Sequence, residues 1–434
     1  MPDEKRGPQR FARMRSLFTG LWRHPDFRKF WVGQTISLLG SQVSLLAIPL
    51  TAVMVLAASP TQMGVLVAVE SAPWLVVGLF AGVWVDRIHR RPVMITADLG
   101  RAGLLILIPI AAANGALRIE LLYIVSFAVS VLTVFANVAQ QSFLPSLVQR
   151  EHIVEGNSKI AVSRSIAEVA GPGLGGALVQ AVTAPIAIIV DAVSFVLSAL
   201  FLGLIRASEP AMVAPNRRRS VWAEIGEGLR VVFGVPLLRA LVVFVGIFNL
   251  SAAMLHTLFA LYVTRELGVE PAIFGIILVA GSIVGIPGAL LAEKASKTYG
   301  IGPAIIGGGF LAGLSNMLIP AANGPIPLIV VVLVSAQTLS TLAGTIGNVN
   351  LLSLSQAVTP DRLLGRVSAT RRMISWGMPL FGALLSGALG QMIGLRPTLA
   401  LGALGQIIAA VLLLTSAVHA LREQPEPLDV PGYN

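Results

Sequence analysis

The sequence predicts an all-α membrane protein in which twelve transmembrane helices form two six-helix bundles related by pseudo-two-fold symmetry. Three observations support this prediction: an apolar composition, twelve long apolar runs, and a motif that recurs at a fixed spacing. The chain has 434 residues, of which 55% are hydrophobic and only 12% are charged, and its mean hydropathy is +0.82. So few charged groups could not cover the surface of a water-soluble protein of this length.

The twelve apolar runs divide the chain into two halves. A helix that spans a membrane needs about 20 predominantly apolar residues. The first half contains such runs at 30–57, 63–85, 93–113, 121–141, 160–182 and 186–205, and the second half at 238–263, 273–295, 303–321, 328–351, 367–392 and 398–421. The predicted units are therefore a cytoplasmic segment 1–29, a bundle 30–206, a cytoplasmic linker 207–235 with an interfacial helix at 221–233, a bundle 236–421 and a tail 422–434.

The distribution of cations predicts the orientation in the membrane. If both termini are cytoplasmic, the six outer connections contain only Arg118, Arg265 and Arg396 out of 31 Lys and Arg residues. Cytoplasmic loops of membrane proteins carry an excess of Lys and Arg. We therefore expect a multi-pass protein of the cell membrane with both termini in the cytoplasm. The same bias accounts for the net charge of +10 without a nucleic-acid partner.

A charged motif follows the second apolar run and recurs in the second half. Residues 78–91 read GLFAGVWVDRIHRR, an apolar helix that runs into one acid and several cations. At a spacing of 207 residues, the equivalent positions are Asp86 and Glu293, Arg87 and Lys294, Arg90 and Lys297, Arg164 and Arg371, Pro172 and Pro379, and Gly175 and Gly382. Two motifs that share one spacing near half of the chain length indicate an internal duplication.

These motifs resemble those of the major facilitator superfamily. Gly82, Asp86, Arg87, Arg90 and Arg91 match its GxxxDRxxRR pattern after the second helix, with His89 in place of the usual glycine. Residues 170–176, AGPGLGG, resemble the GPxxGG motif of exporters that exchange drugs for protons, and residues 140–176 are similar to the branch of macrolide efflux and enterobactin exporter-like proteins. The resemblance implies proton-driven drug export without a bound cofactor, powered by the proton motive force.

The charged motif has a physical role in a transporter whose two halves rock around a central site. Asp86 can face the positive end of a neighbouring helix, and Arg87 and Arg90 can bridge to acids, each contact contributing about 0.3–2 kcal/mol. Such weak contacts suit a cytoplasmic latch, although positive-inside topology alone also explains Arg90 and Arg91. The predicted conformational residues are Gly82, Asp86, Arg87, Arg90, Arg91, Glu293, Lys294 and Lys297.

Small residues in the fifth predicted helix indicate a close helix contact. Gly171, Pro172, Gly175 and Gly176 remove side-chain bulk and one backbone donor in the middle of the membrane. We interpret them either as tight packing alone or as part of the moving interface between the halves.

Two acids lie inside predicted helices without a cation within one helical turn of sequence. They are Glu70 and Asp191. A carboxylate in hydrocarbon is costly unless it lines water, meets a cation or holds a proton. An acid that is alternately buried and hydrated can couple proton flow to transport. Glu70 is the preferred proton carrier and Asp191 the second, and a neutral structural acid is the alternative for each.

Other embedded charges have possible partners nearby. Asp98 and Arg101 stand three residues apart, and Arg164 and Glu168 four apart, so each pair can neutralise itself on one helix. Arg371 is followed by Arg372 and has no acid four residues later. It needs a partner elsewhere, for example in the charge network of the first half.

Polar and aromatic residues within the predicted helices indicate a cavity for amphipathic ligands. The candidates are Gln140, Asn249, Phe248, Trp376 and Asn348, with His256 and Asn350 as further possibilities. Hydrogen bonds between helices are the alternative interpretation for each of them.

The sequence also excludes several activities. It contains no cysteine, and hence no thiolate metal site or disulfide. It has no GxxxxGK[ST] loop for ATP and no cluster that indicates a metal site or an enzyme. We expect a monomer that exports hydrophobic or amphipathic, drug-like molecules in exchange for protons. The alternatives are a dedicated exporter of a siderophore or metabolite, an importer, and a membrane scaffold that does not transport.

Overall fold

A computed structural model of the protein describes residues 20–85, 88–207, 221–423 and 425. In the first half, α1 is Pro25–Leu50 with a π-helical turn at Thr51–Val55, α2 is Pro60–Val76 and Gly78–Val85, α3 is Arg90–Leu105 and Leu107–Ala113, α4 is Ile119–Leu147, α5 is Ile153–Val182 and α6 is Ala184–Gly203. In the second half, α7 is Pro236–Leu261 with a π-helical turn at Tyr262–Glu266, α8 is Pro271–Ile283 and Gly285–Tyr299, α9 is Ile301–Asn316 and Leu318–Ala321, α10 is Ile326–Ala357, α11 is Asp361–Ile393 and α12 is Leu395–Leu414. The linker helix is Val221–Gly234.

Ten of the described helices are long and apolar enough to cross a membrane. The other two predicted spans are α2, which is interrupted at Val77, and α5, which carries Lys159, Arg164 and Glu168. Both of these helices pack between others: α2 lies against α4 and α11, and α5 lies against α1 and α8. A helix that is lined by neighbours on several sides tolerates polar residues that lipid would not.

Several helices are longer than the apolar runs that predict them. Helix α5 begins at Ile153 instead of residue 160, and α10 ends at Ala357 instead of residue 351. A hydropathy pattern marks only the part of a helix that lies in hydrocarbon, whereas polar turns continue beyond it. Helix α12, in contrast, ends at Leu414, seven residues earlier than predicted, and Ser416 caps a short 3-10 turn at Ala417–Ala420.

The spacing between equivalent features of the two halves is not a single value of 207 residues. The pairs of helix starts Pro25 and Pro236, and Pro60 and Pro271, are 211 residues apart. So are two backbone positions with positive φ, Thr183 at 121° and Gly394 at 89°. The breaks within α2 and α8 and the starts of α4 and α10 do keep a spacing of 207.

The prediction of one fixed spacing is therefore wrong. Four residues are close to one helical turn, so a shift of that size keeps the same helix face and is hard to detect in a sequence. On α5 and α11, the pairings of Arg164 with Arg371, Pro172 with Pro379 and Gly175 with Gly382 are each displaced by one turn.

The buried apolar residues show where the two bundles meet. We call the end of the molecule with the turns 56–59 and 267–270 the predicted outer face, and the opposite end the predicted inner face. Toward the predicted outer face, one apolar cluster includes both bundles, with Leu66 from the first and Leu258 from the second. Toward the predicted inner face, each bundle has its own cluster, around Phe143 in the first and Leu354 in the second. The shared core therefore lies at the predicted outer face.

Candidate functional site

A cavity of about 670 Å³ lies between the two bundles. We call it the central cavity. Helices α1, α2 and α5 of the first half contribute Gln42, Glu70 and Glu168, and α7, α8 and α10 of the second half contribute residues that include Phe248 and Gln337. More than half of the lining residues are apolar or aromatic and most of the others are polar, a mixture that suits amphipathic ligands of drug size.

Two acids line the central cavity. Glu70 and Glu168 are its carboxyl groups, and the described lining residues include no Lys or Arg. The Oγ of Ser130 on α4 donates to the backbone carbonyl of Glu70 at 2.6 Å, which fixes this part of α2 against α4. A carboxylate in such surroundings is costly unless it is hydrated, protonated or paired with a cation. The cavity therefore has the components of a site for protons or cationic groups.

Asp191, the second proton-coupling candidate, does not line the central cavity. It is only 2% exposed. Its Oδ1 accepts from Ser194 Oγ at 3.2 Å and from Ser41 Oγ at 3.4 Å, and Arg101 acts on it electrostatically. These partners differ from the unpaired carboxyl expected at this position, and they join α1 to α6.

The ion pair between Asp98 and Arg101 forms on α3, as their spacing predicts. Both residues are buried. The Arg101 guanidinium also lies over the ring of Phe195 at 3.9 Å and donates to Thr133 Oγ1 at 3.5 Å. The pair therefore connects α3 to α4 and α6 within the first bundle.

The second expected pair, Arg164 and Glu168, is not an ion pair within the described part of α5. Both residues are exposed. Glu168 faces the central cavity, whereas Arg164 lies one turn nearer the predicted inner face. A spacing of four residues allows such a pair but does not enforce it when both side chains can reach water.

A second cavity, of about 370 Å³, extends into the second bundle between α7, α9, α10 and α11. Four of the five predicted cavity residues line it: Phe248, Asn249, Asn348 and Trp376. Phe248 lines the central cavity as well. The fifth, Gln140, lines neither cavity, because α4 packs mainly against α2 and α3.

Two other residues from the polar set have different surroundings. His256 lines the central cavity. Asn350 is buried, and its Nδ2 donates to the carbonyl of Ala292 at 3.0 Å, so it connects α10 to α8. No group of three or more His, Cys, Asp or Glu side chains is placed to hold a metal ion within the described ranges.

The glycines of α5 pack against two different neighbours. Gly176 lies against Gly275 and the carbonyl of Pro271 on α8, in the other bundle. Gly171 and Gly175 lie against Gln42 and Val43 of α1, in the same bundle. Gly171 and Gly175 thus pack closely within one bundle, whereas Gly176 makes a contact between the bundles.

The residues of the charged motif are only partly described. Asp86 and Arg87 lie outside the described residues, and for Gly82 only the helical backbone is described. Arg90 begins α3. Arg91 donates from Nε to the carbonyl of Leu202 at 2.8 Å and from Nη2 to that of Gly203 at 2.6 Å. These two bonds tie α3 to the end of α6 within one bundle.

The second copy of the motif lies on a continuous helix. Glu293 accepts from Lys297 at 2.6 Å, and both side chains are 75% exposed. Lys294 is also exposed. Because α8 continues to Tyr299, the acid meets the cation one turn later on its own helix. The expected clasp to the other bundle is therefore not the contact that Glu293 makes here.

A contact between the bundles that the sequence analysis missed lies at the predicted outer face. Arg265 at the end of α7 donates from Nη1 to the carbonyl of Ala58 at 3.0 Å and from Nη2 to that of Val53 at 3.2 Å. Only three cations were predicted on this face, so each of them was a candidate for a specific contact. Its bonds to backbone carbonyls leave no pattern in the sequence, where Arg265 indicates only the topology.

Comparisons with known proteins agree with this architecture. The model of the Major Facilitator Superfamily matches residues 30–379. The multidrug efflux pump Tap of Mycolicibacterium fortuitum is 28% identical over 335 residues, which are 75% of this chain and 80% of Tap. The uncharacterized MFS-type transporter YfiS of Bacillus subtilis (strain 168) is also 28% identical, but over 210 residues, 47% of this chain and 48% of YfiS.

The fold is also found among solved structures. The crystal structure of the nucleoside transporter NupG covers 90% of this chain and 98% of its own, with a TM-score of 0.74 and 13% identity. At this identity the likeness concerns the fold alone, and it confirms the predicted fold class. Because the family model matches most of the sequence, this chain belongs to the major facilitator superfamily.

Proposed function

We propose that this transporter exports hydrophobic or amphipathic small molecules across the cell membrane in exchange for protons. One observation carries the proposal. Glu70 and Glu168 line a largely apolar cavity between the two bundles, and its described lining contains no Lys or Arg. The similarity to a multidrug efflux pump over 75% of the chain supports export as the direction of transport and drug-like molecules as the cargo.

In this proposal, Glu70 is the proton carrier. It lies on α2, which contacts α11 of the other bundle, so movement of the bundles changes its surroundings. A carboxyl group holds its proton in an apolar environment and releases it when the site is hydrated. Glu70 thus takes up a proton when the cavity faces the outside and releases it when the cavity faces the cytoplasm and admits cargo.

The packing of the bundles supports transport by alternating access. The shared apolar core and the contacts of Gly176 and Arg265 lie toward the predicted outer face. We propose that this arrangement is the state closed to the outside, with the predicted inner face and both termini in the cytoplasm. Breaking these contacts and closing the opposite end would deliver the cargo outside. A single chain contains both bundles and the cavity, so a monomer is sufficient.

The proposal is tested with purified protein in proteoliposomes under an imposed pH gradient. Rhodamine 6G, a permanently charged amphipathic dye, serves as cargo. We expect the pH gradient to drive dye transport and an uncoupler to abolish it. The Glu70→Gln variant should lose this gradient-driven transport but still exchange dye when no gradient is imposed.

The matched control is Glu120→Gln, which removes an exposed carboxyl at the start of α4, outside the cavity. It should retain gradient-driven transport. Unchanged transport in Glu70→Gln would remove Glu70 from this role, and transport driven by sodium alone would overturn proton coupling.

A further inference from the structure

We propose that the second cavity is an anion subsite in which Arg371 binds the carboxylate of an amphipathic cargo. This inference rests on the proposed function, because it specifies part of the cargo. The cavity lies inside the second bundle and is lined by Arg371, Asn348, Ser375 and Trp376 among others. It is separate from the acids of the central cavity.

Arg371 differs from two other cations of the helices, the buried Arg101 and the exposed Arg372. Arg101 pairs with Asp98, and Arg372 lies over the ring of Trp376 at 5.5 Å. Arg371 is half-buried, yet within the described ranges it has neither a hydrogen bond nor an ion pair. Its charged neighbour is Arg372, which repels it. A half-buried guanidinium without a partner is costly, and an anionic ligand would remove that cost.

The groups around Arg371 suit a carboxylate. The guanidinium presents a planar set of donors that matches the two oxygens of a carboxylate. Asn348 and Ser375 line the same cavity and make no hydrogen bond with other described residues, so both are available as further donors. Asn249 is partly used, because its Nδ2 donates to the carbonyl of Val245 at 2.8 Å.

The two cavities adjoin each other. Phe248 and Gly344 line both of them, and the rings of Phe248 and Phe244 lie 5.5 Å apart at the second cavity. A cargo molecule can therefore place its acid beside Arg371 and its apolar body in the central cavity. The reverse placement would bring its acid toward Glu70 and Glu168 and be repelled. The preferred cargo is an amphipathic carboxylic acid, including a zwitterion with its cationic end toward these acids.

Two matched probes test this preference in uncharged detergent: dansylglycine, which is an anion, and dansylamide, which is neutral. Binding is measured by energy transfer from tryptophan, since Trp376 lines the cavity and Trp74 lies 4.9 Å from it. We expect the wild-type protein to bind dansylglycine at least about tenfold more tightly than dansylamide, which corresponds to about 1.4 kcal/mol. Arg371→Gln should remove this difference without changing the affinity for dansylamide.

Two variants complete the test. Arg372→Gln removes the same charge one residue away and should keep the preference, and Arg371→Lys should keep part of it. Unchanged binding of dansylamide shows that each variant is folded. The inference is overturned if the wild-type protein does not distinguish the probes, or if both glutamine variants lose the preference equally. Binding in detergent needs no gradient, so this result is independent of whether protons drive transport.

Discussion

Gly176 of α5 and Gly275 of α8 bring the two bundles into backbone contact. A Cβ atom on Gly176 would lie 3.0 Å from the Cα of Gly275 and 2.5 Å from the carbonyl oxygen of Pro271. An equivalent contact joins α2 to α11 across the bundles, since a Cβ on Gly64 would lie 2.8 Å from the Cα of Gly387. Only glycine allows helices to approach this closely. These paired contacts explain why the bundles can close at the predicted outer face.

We predict that Gly176→Leu prevents this closure. The added side chain meets backbone atoms of α8, which cannot move away as a flexible side chain could. The chain has no cysteine, so Ser340→Cys in the central cavity can report access of a membrane-impermeant maleimide from outside the cell. Labelling should be faster when Gly176→Leu is added.

Gly103→Leu on α3 is the control for this experiment, because no atom lies within 4 Å of a Cβ at that position. It should leave the labelling rate unchanged. Equal acceleration in both variants would contradict the assignment of Gly176 to the closed outer face.

We predict that Arg265→Gln also weakens the outer closure, through the loss of two hydrogen bonds across the bundles. A hydrogen bond from a charged group contributes about 1.5–3 kcal/mol when shielded from water and less when exposed, so we expect up to about a tenfold increase in labelling. Arg396→Gln is the matched control. Arg396 pairs with Glu266 at 2.7 Å on the same face but within the second bundle. An equal effect of both substitutions would argue against a specific role of Arg265.

We predict that the buried pair Asp98 and Arg101 stabilises the first bundle only as a pair. Replacing one partner leaves an uncompensated buried charge, which typically costs about 3–5 kcal/mol, whereas an apolar replacement of both is much less costly. Thermal unfolding in detergent should therefore show a lower Tm for Asp98→Leu and for Arg101→Met than for the double variant. If the double variant is the least stable, the contacts of Arg101 outside the pair, including its electrostatic interaction with Asp191, outweigh the pair.

The sequence predicts the helices of this protein well because each helix that spans the membrane needs a long apolar run. It predicts helix ends less well, because turns outside the hydrocarbon carry no apolar signal, as at Ile153 and Ala357. The pair Asp98 and Arg101 was predictable because both residues lie on one helix. The alignment of the two halves was less accurate. Pro172 and Pro379 were paired one turn out of register, because a shift of one turn preserves the helix face.

Contacts between helices were harder to predict than positions along them. Gln140 lies on a helix that faces neither cavity, and the sequence alone does not define which face of α4 points inward. The contacts of Arg265 are with backbone carbonyls, which no side-chain pattern reveals. For Glu293, the helical spacing to Lys297 was visible in the sequence, but the continuation of α8 to Tyr299 was not.

The most direct test of the account measures proton movement during cargo flow. Proteoliposomes loaded with the pH indicator pyranine receive a gradient of rhodamine 6G without a pH gradient. For the wild-type protein we predict an internal pH change that accompanies dye flow, and for Glu70→Gln dye flow without that change. An equal pH change in Glu70→Gln, or none in the wild-type protein, would contradict proton exchange through Glu70.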